Sequence, residues 1–437
     1  GTTALEIAND TSVGGNLTLV SGNVSGIIDS GSLTVGGNLD AATDANNGVI
    51  TLDGLSVSGK IKIVTNGSGG TGGNATVVNT TGLDFITADV GGNFVATATD
   101  GNITQESAFA IDGTAIITAT SSSADNNITL DKAGNEFAGA VSITGNNVVV
   151  KDSSAIEFGT GTSNIRGTIE VTAQLGITDT GGTVVAGNAW YRTHGAGATI
   201  VLNHADNDFG GTLTLTGGVG YTVNSVGAVE LDALTLVESY GDLHVTAGGA
   251  VTQKSGTALV VGGLATISAA GQNVTLNGTS NDFQDEVRIT GADVEITDAN
   301  SIKLGKSTVT GNYTVTARAG TVTQSQLTAN PLAITLVSTI SGTDITLNNT
   351  ANNFGTAIGV TTIGSDVVLV DAGAIVLGAS TVTGTYTVTA GGTVTQANST
   401  VLDIEGVTTI EAGGHVVTLT KANDFTSAVG ITGAAVS

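Results

Sequence analysis

The fold of this chain is decided by the stretch from Tyr386 to Thr432, which reads YTVTAGGTVTQANSTVLDIEGVTTIEAGGHVVTLTKANDFTSAVGIT. Short runs in it alternate apolar residues with Thr, Asp or Glu, and Gly or Asn separates many of these runs. Alternation with a period of two is typical of strands that bury one face, and Gly and Asn favour turns. The stretch therefore predicts a series of short β-strands joined by turns.

The same pattern recurs along the chain with a period of about 72 residues. One landmark is an Asn-x-Phe tripeptide, which we interpret as a structural ladder: Phe fills a corner of the fold, and Asn hydrogen-bonds the backbone of a turn. A row of Asn side chains that binds a ligand is the alternative. The ladder residues are Asn135, Phe137, Asn207, Phe209, Asn281, Phe283, Asn352, Phe354, Asn423 and Phe425. A second landmark is a Thr-Gln pair that ends at Gln105, Gln253, Gln324 and Gln396, with Asp179 in the intermediate place.

Each of these repeats divides into three parts of about 24 residues, each with about three strands. One such part has too little core to be stable alone, whereas stacked parts bury a continuous core. The sequence therefore predicts an all-β chain folded as a right-handed parallel β-helix, or β-solenoid, with about three strands per coil and about 18 coils. We expect one continuous domain, with looser coils in residues 1–89 and a regular solenoid of three coils per repeat in residues 90–437.

Composition excludes several classes of partner. The chain has 437 residues, no Cys, no Met and a formal net charge of −25. Without Cys there are no disulfides or thiolate metal sites, and the acidic balance argues against binding to nucleic acid. No apolar run reaches the roughly 18 residues of a membrane span, so we expect no membrane insertion in this segment. Since residue 1 is not Met, we expect a mature piece of a longer, exported polypeptide.

Several repeated motifs resemble a known family. Val388–Gln396 reads VTAGGTVTQ, Ile289–Asp298 reads ITGADVEITD, and Val417–Phe425 begins with VTL and ends with NDF. These motifs resemble the β-strand repeats of giant bacterial exoproteins related to filamentous haemagglutinin, including β-helical adhesins of the two-partner-secretion and autotransporter types. The resemblance covers about four-fifths of the chain.

The resemblance implies an extracellular or bacterial cell-surface location. It also implies a structural function, as the stalk of an adhesin or as the protomer of a cell-surface or biofilm-matrix filament. The expected partners are further repeats of a longer chain, other copies stacked end to end, and cell-surface glycans.

Two other functions are compatible with the predicted fold. A polysaccharide-active β-helix enzyme needs acidic groups and a basic group that converge on one face. Asp282, Asp285, Glu286 and Arg288 are close in sequence, but no basic residue stands at the positions equivalent to Arg288 in the other repeats, so we expect no enzymatic activity. A calcium-dependent surface-layer-type assembly module is the other alternative. Turns such as residues 44–46 and 298–300 would bind Ca²⁺ only weakly, and we expect no resident metal or other cofactor.

The segment Ala189–His194 breaks the regular pattern and contains the only Trp of the chain. It supplies a weak candidate for a ligand patch, formed by Trp190, Tyr191, Arg192 and His194. Aromatic rings beside Arg suit stacking on a sugar ring. The alternative is that an irregular coil buries these aromatic rings against neighbouring strands.

Overall fold

The computed structural model describes residues 3–44, 47–65, 72–121, 126–236, 240–325, 327, 329–362 and 365–437. The secondary structure of these residues consists of β-strands, with no helix among them. Accordingly, none of them belongs to a helix that is long and apolar enough to cross a membrane. The chain divides into two compact units, which are Gly1–Gly218 with Thr222–Val226, and Val219–Tyr221 with Gly227–Ser437.

The strands of the first unit are short, mostly of three to five residues. Numbered β1 to β27 in chain order, they are Leu5–Ile7, Thr11–Val13, Leu17–Ser21, Ile27–Asp29, Leu33–Val35, Leu39–Thr43, Ile50–Val57, Ile61–Val64, Ala75–Asn79, Leu83–Val90, Phe94–Ala98, Ile103–Gln105, Ala110–Ile111, Ala115–Ala119, Ile128–Leu130, Glu136–Phe137, Val141–Gly145, Val148–Asp152, Ile156–Phe158, Ser163–Ile165, Ile169–Ala173, Ile177–Asp179, Thr183–Val185, Ala189–Thr193, Ile200–Leu202, Asp208–Phe209 and Thr212–Thr216. Strand β28, Gly220–Ser225, has residues in both units.

The strands of the second unit follow the same pattern of lengths. Numbered β29 to β57, they are Val229–Leu231, Leu234–Leu236, Asp242–Ala247, Val251–Gln253, Leu259–Val261, Ala265–Ser268, Val274–Leu276, Asp282–Phe283, Glu286–Gly291, Val294–Asp298, Ile302–Leu304, Ser307–Val309, Tyr313–Ala317, Val322–Gln324, Leu332–Ile334, Val337–Gly342, Ile345–Leu347, Ala357–Thr362, Val367–Asp371, Ile375–Leu377, Ser380–Val382, Tyr386–Ala390, Val394–Gln396, Leu402–Ile404, Thr408–Glu411, Val416–Thr418, Asp424–Phe425, Val429–Thr432 and Ala435–Val436.

Each unit is a β-solenoid, because its strands pair in parallel with strands one coil further along the chain. In the first unit, Ile177 of β22 lies beside Ile156 of the preceding coil and beside Ile200 of the following one. The registers give about ten coils in each unit, with about three strands in most coils. The predicted all-β parallel solenoid and its approximate number of coils are therefore confirmed.

The coils are shorter than the sequence suggested, and their lengths vary. Ala115 pairs with Val141 across one of the longest coils, and Val141 pairs with Phe158 across one of the shortest. One coil in each repeat lacks its third side; in the first unit only Asn146 and Asn147 separate β17 from β18. One repeat consequently covers about three and a half coils, where the sequence predicted three.

The half coil places equivalent strands of successive repeats in opposite sheets. In the first unit, β17 (Val141–Gly145) pairs with β14 in one sheet. Its equivalent, β27 (Thr212–Thr216), follows the next Asn-x-Phe tripeptide and pairs with β24 in the other sheet. In the second unit, β37 and β46 alternate in the same way. The strands β30, β33 and β36 of that unit form a third, small sheet.

The core of each unit consists of inward side chains that stack on their equivalents in the next coil. In the second unit, one such column contains Ile302, Val322, Ile345, Val367 and Tyr386, all fully buried. Within each strand, the residues next to a column member point outward, as the period of two requires. The column is continuous, so each coil depends on its neighbours for burial of its apolar side chains.

Candidate functional site

The most regular polar contact in the chain is a pair of amide side chains from two successive coils. Gln105 Nε2 donates to Asn135 Oδ1 at 2.8 Å, and Asn135 Nδ2 donates to Gln105 Oε1 at 2.8 Å. The same reciprocal pair joins Gln253 to Asn281, Gln324 to Asn352 and Gln396 to Asn423. The Thr-Gln pair and the Asn-x-Phe tripeptide, two separate landmarks in the sequence, are thus two halves of one contact.

The Asn of each pair also bonds to the backbone. Asn135 Oδ1 accepts the N–H of Phe109 at 2.8 Å, and its Nδ2 donates to the carbonyl of Leu130 at 3.0 Å. Asn135 is fully buried, as are the equivalent Asn207, Asn281 and Asn352, and Phe137 beside it fills the core. In the last repeat Asn423 and Phe425 are only partly buried. The buried amides hold two coils together and present no polar atom to a ligand in solvent.

A carboxylate from the following coil completes the arrangement. The N–H of Phe283 donates to Asp298 Oδ2 at 2.7 Å, and the N–H of Asn300 donates to Asp298 Oδ1 at 2.6 Å. Asp152 bonds to Phe137 in the same way, and Asp371 bonds to Phe354. Burial raises the pKa of all three carboxyl groups, and the pKa of Asp298 rises to about 6. We name the Gln, Asn and Asp of three successive coils the amide ladder.

In one repeat, a carboxylate replaces the Gln side chain of the pair. Asp179 stands where the other repeats have Gln, and Asn207 Nδ2 donates to Asp179 Oδ2 at 2.6 Å. The backbone N–H groups of Asn203 and His204 donate to the other oxygen, Asp179 Oδ1. Burial raises the pKa of Asp179. Ser225 stands at the position of the ladder carboxylate, and its Oγ has no hydrogen-bond partner among the described residues.

The predicted ligand patch is only partly exposed, because β24 alternates its side chains between core and solvent. Trp190, Arg192 and His194 point outward, and Trp190 is 37% exposed. Tyr191 points inward and is 1% exposed, with its ring 6.3 Å from that of Phe158 and 6.2 Å from that of Phe209. Its inclusion among the patch residues is therefore corrected: Tyr191 packs in the core.

Neighbouring strands of the same sheet add charged residues around Trp190. Glu170 of β21 lies beside Trp190, and Thr172 of β21 lies between Lys151 of β18 and Arg192 of β24. Two shallow grooves that share Glu170 and Arg192 run along this face; one is lined by Trp190, and the other by Lys151 and His194. We name Lys151, Glu170, Trp190, Arg192 and His194 the Trp190 patch. The sequence did not indicate Lys151 or Glu170, since they become neighbours of Trp190 only through the coil length.

Of the acidic residues considered for catalysis, Glu286 and Asp285 form ion pairs, whereas Asp282 accepts hydrogen bonds from the side-chain amides of Gln284 and Asn300. Arg288 Nε lies 2.6 Å from Glu286 Oε1, and Lys303 Nζ lies 3.2 Å from Asp285 Oδ1. Glu286 is buried and also accepts a hydrogen bond from the side-chain amide of Asn330. Arg288 and Lys303 are thus each paired with a carboxylate of this cluster.

Of the two turns considered for weak calcium binding, the structure describes all three residues only for the turn 298–300. Asp298 directs its carboxylate oxygens to two backbone N–H groups, as described above, and is a ladder residue. Ala45 and Asn46 of the other turn lie outside the described residues. Within the described ranges, no three His, Asp or Glu residues form a group that could hold a metal ion.

Stacked parallel coils, a continuous apolar core and a repeated buried polar ladder define a β-solenoid repeat protein. The family model Repeats of unknown function (DUF5649) matches residues 72–144, 145–216, 218–290, 291–361 and 364–432, and the chain belongs to this family. No curated protein and no solved structure matches the chain. The repeat architecture predicted from the sequence is confirmed, while the relation to filamentous haemagglutinin stays a prediction.

Proposed function

We propose that this chain is a structural β-solenoid at the bacterial cell surface or outside the cell, as the stalk of an adhesin or as the protomer of a filament. The proposal is carried by the contacts of the residues that recur once in each repeat. They bond to one another and to the backbone of adjacent coils, and four of the five ladder Asn residues expose nothing to solvent. The repeat therefore builds cohesion between coils, and the role is mechanical rather than catalytic.

The surface chemistry supports this role. Outward strand positions carry many Thr residues, for example in Tyr313–Ala317 and Tyr386–Ala390, and these remain hydrated without forming an apolar patch. A net charge of −25 opposes lateral association of separate molecules. The absence of Cys and Met removes the side chains that oxidants attack most readily, which suits exposure outside the cell.

The location is tested by protease treatment of intact cells that produce the native protein, followed by detection with an antibody against this chain. We expect protease to remove the antigen while a cytoplasmic marker inside the same cells stays intact. Antigen that is protected until the cells are lysed would contradict the proposed location.

The mechanical role is tested by single-molecule force spectroscopy on the purified full chain. We expect Asn281→Ala, which removes one member of the amide ladder, to lower the force at which coils of the second unit unfold. Asn277→Ala, an exposed change in the same turn region, is the matched control and leaves the force unchanged. Equal forces for the native chain and both variants would show that the ladder does not provide the mechanical cohesion.

A further inference from the structure

The Trp190 patch has an unusual charge arrangement for so acidic a chain. Of the 12 Lys and Arg residues in the sequence, most make an ion pair or a side-chain hydrogen bond. Those that make neither to any described residue are Lys151, Arg192, Lys306 and Arg318. Two of the four thus lie in a single row of one sheet, although 37 acidic residues are available to pair with them.

The register fixes the distances within the patch. Lys151 and Arg192 are on strands separated by β21, which places their backbones about 10 Å apart, at about 4.8 Å per strand. Trp190 and Arg192 are two residues apart on β24, which corresponds to about 7 Å along the strand. Glu170 lies directly beside Trp190 in the adjacent strand. A flat ring, an acceptor and two cations therefore face solvent within the area of a short oligosaccharide.

Each of these groups matches one part of an acidic sugar. The indole ring of Trp190, 37% exposed, offers an apolar surface on which a pyranose ring stacks. Arg192 presents a planar guanidinium that binds a carboxylate through two parallel hydrogen bonds, and Lys151 adds a second positive charge. Glu170 accepts hydrogen bonds from sugar hydroxyl groups.

We propose that the Trp190 patch binds a carboxylate-bearing polysaccharide, with one sugar ring on Trp190 and its carboxylates on Arg192 and Lys151. The patch occurs once, since Trp190 is the only Trp of the sequence, and the equivalent strand β34 of the next repeat reads ATIS, with neither Trp nor Arg. This binding goes beyond the proposed structural function and does not depend on it. If the chain binds no glycan, the proposed structural function can still hold. If the chain binds the glycan but is not located at the cell surface or outside the cell, only the proposed location fails.

The site is tested on the purified full chain with tetragalacturonate as probe and galactotetraose as its uncharged counterpart. Trp190 is the only Trp, so intrinsic tryptophan fluorescence reports on this patch alone. We expect tetragalacturonate to change the fluorescence in a saturable way, with an affinity that falls as salt is added, because the carboxylates are held by charge. Galactotetraose should bind at least tenfold more weakly.

Two substitutions assign the contact to the patch, with calorimetry as the readout. Arg192→Gln should weaken tetragalacturonate binding at least tenfold, and Trp190→Ala should remove measurable binding. Arg318→Gln is the matched control, because Arg318 also makes no ion pair to a described residue and lies exposed directly after β41, in the second unit. Circular dichroism verifies that each variant remains folded.

The proposal is overturned by any of three results. Tetragalacturonate produces neither a fluorescence change nor heat; Arg192→Gln binds as tightly as Arg318→Gln; or galactotetraose binds as tightly as tetragalacturonate. The last result would show that the site selects the sugar ring without its carboxylate.

Discussion

At the scale of single residues, Asn281 shows how strongly the amide ladder couples coils. Its Oδ1 accepts from Gln253 Nε2 at 2.7 Å and from the N–H of Leu259 at 2.9 Å, and its Nδ2 donates to the carbonyl of Leu276 at 3.1 Å. Asn281→Ala leaves these buried groups unpaired, and each costs about 1–3 kcal/mol. We expect the free energy of unfolding to fall by about 3 kcal/mol, as measured by chemical denaturation.

The control for this prediction is Asn277→Ala in the same turn region. Asn277 is exposed, and its side chain makes no hydrogen bond to the described residues. Its replacement should change the free energy of unfolding by less than about 0.5 kcal/mol. Equal losses for the two variants would show that the ladder amide contributes nothing beyond an ordinary Asn.

The buried carboxyl of Asp298 makes stability depend on pH. Its pKa is about 6 in the folded chain, above the ordinary value of 3.8, because burial disfavours the charged form. The folded state therefore binds more protons than the unfolded state, so stability is highest below about pH 4 and falls as pH rises to about 6. For this group alone the fall is at most about 3 kcal/mol. The raised pKa values of Asp152 and Asp371 act in the same direction.

Denaturation curves at pH 4, 5, 6 and 7 measure this dependence. Asp298→Asn should flatten the slope between pH 4 and 6, even though the amide loses one of the two backbone hydrogen bonds and lowers stability overall. Asp403→Asn removes the same charge from an exposed outward position and should preserve the slope. A native chain that gains stability as pH rises through this range would contradict the assignment.

The sequence predicts which residues of the ladder recur, but it does not predict their contacts. Gln253 and Asn281 lie on successive coils, and only the true coil length shows that they face each other. The ladder carboxylate is harder to find, because Ser225 interrupts its recurrence. The sequence predicted Tyr191 as a patch residue because it does not show whether the odd-numbered or the even-numbered side chains of β24 face inward.

At the scale of the element, alternation decides the cost of each substitution within a strand. In β38, Ile296 is fully buried and its neighbour Glu295 is exposed. Ile296→Ala removes buried methyl groups and leaves a cavity, so we expect a loss of about 2–4 kcal/mol in the free energy of unfolding. Glu295→Ala should change it by less than about 0.5 kcal/mol.

Thermal or chemical denaturation of both variants checks this prediction. A larger loss for Glu295→Ala would show that the opposite face of β38 points into the core.

Elements of this kind were predictable, because apolar alternation and Gly or Asn turns are local signals. The small sheet of β30, β33 and β36 was not predictable. Its strands have the same alternation as the others, and only the turns around them separate them from the main sheets.

At the scale of the whole molecule, the repeat and the coil have different lengths. The repeat was visible in the sequence because Asn-x-Phe returns at a nearly fixed interval, whereas the coil length depends on which turns are short and which are long. The two-residue turn after Gly145 removes one side of a coil, and equivalent strands then alternate between sheets. Three and a half coils per repeat follow from this geometry.

This relation predicts which deletions the solenoid tolerates. Removal of residues 291–361, one whole repeat within the second unit, brings β47 into the place of β38. Each later strand then takes the place of its equivalent, in the opposite sheet and with its apolar side chains still inward. We expect this variant to remain soluble and to unfold cooperatively near the melting temperature of the native chain.

Removal of residues 302–325, which would be one coil if each repeat contained three equal coils, should cause aggregation or a clearly lower melting temperature. The reason is that it removes strand β42 along with the preceding coil, so the inward columns no longer align. Equal behaviour of the two deletions in thermal denaturation and size-exclusion chromatography would show that the pairing registers do not govern stacking.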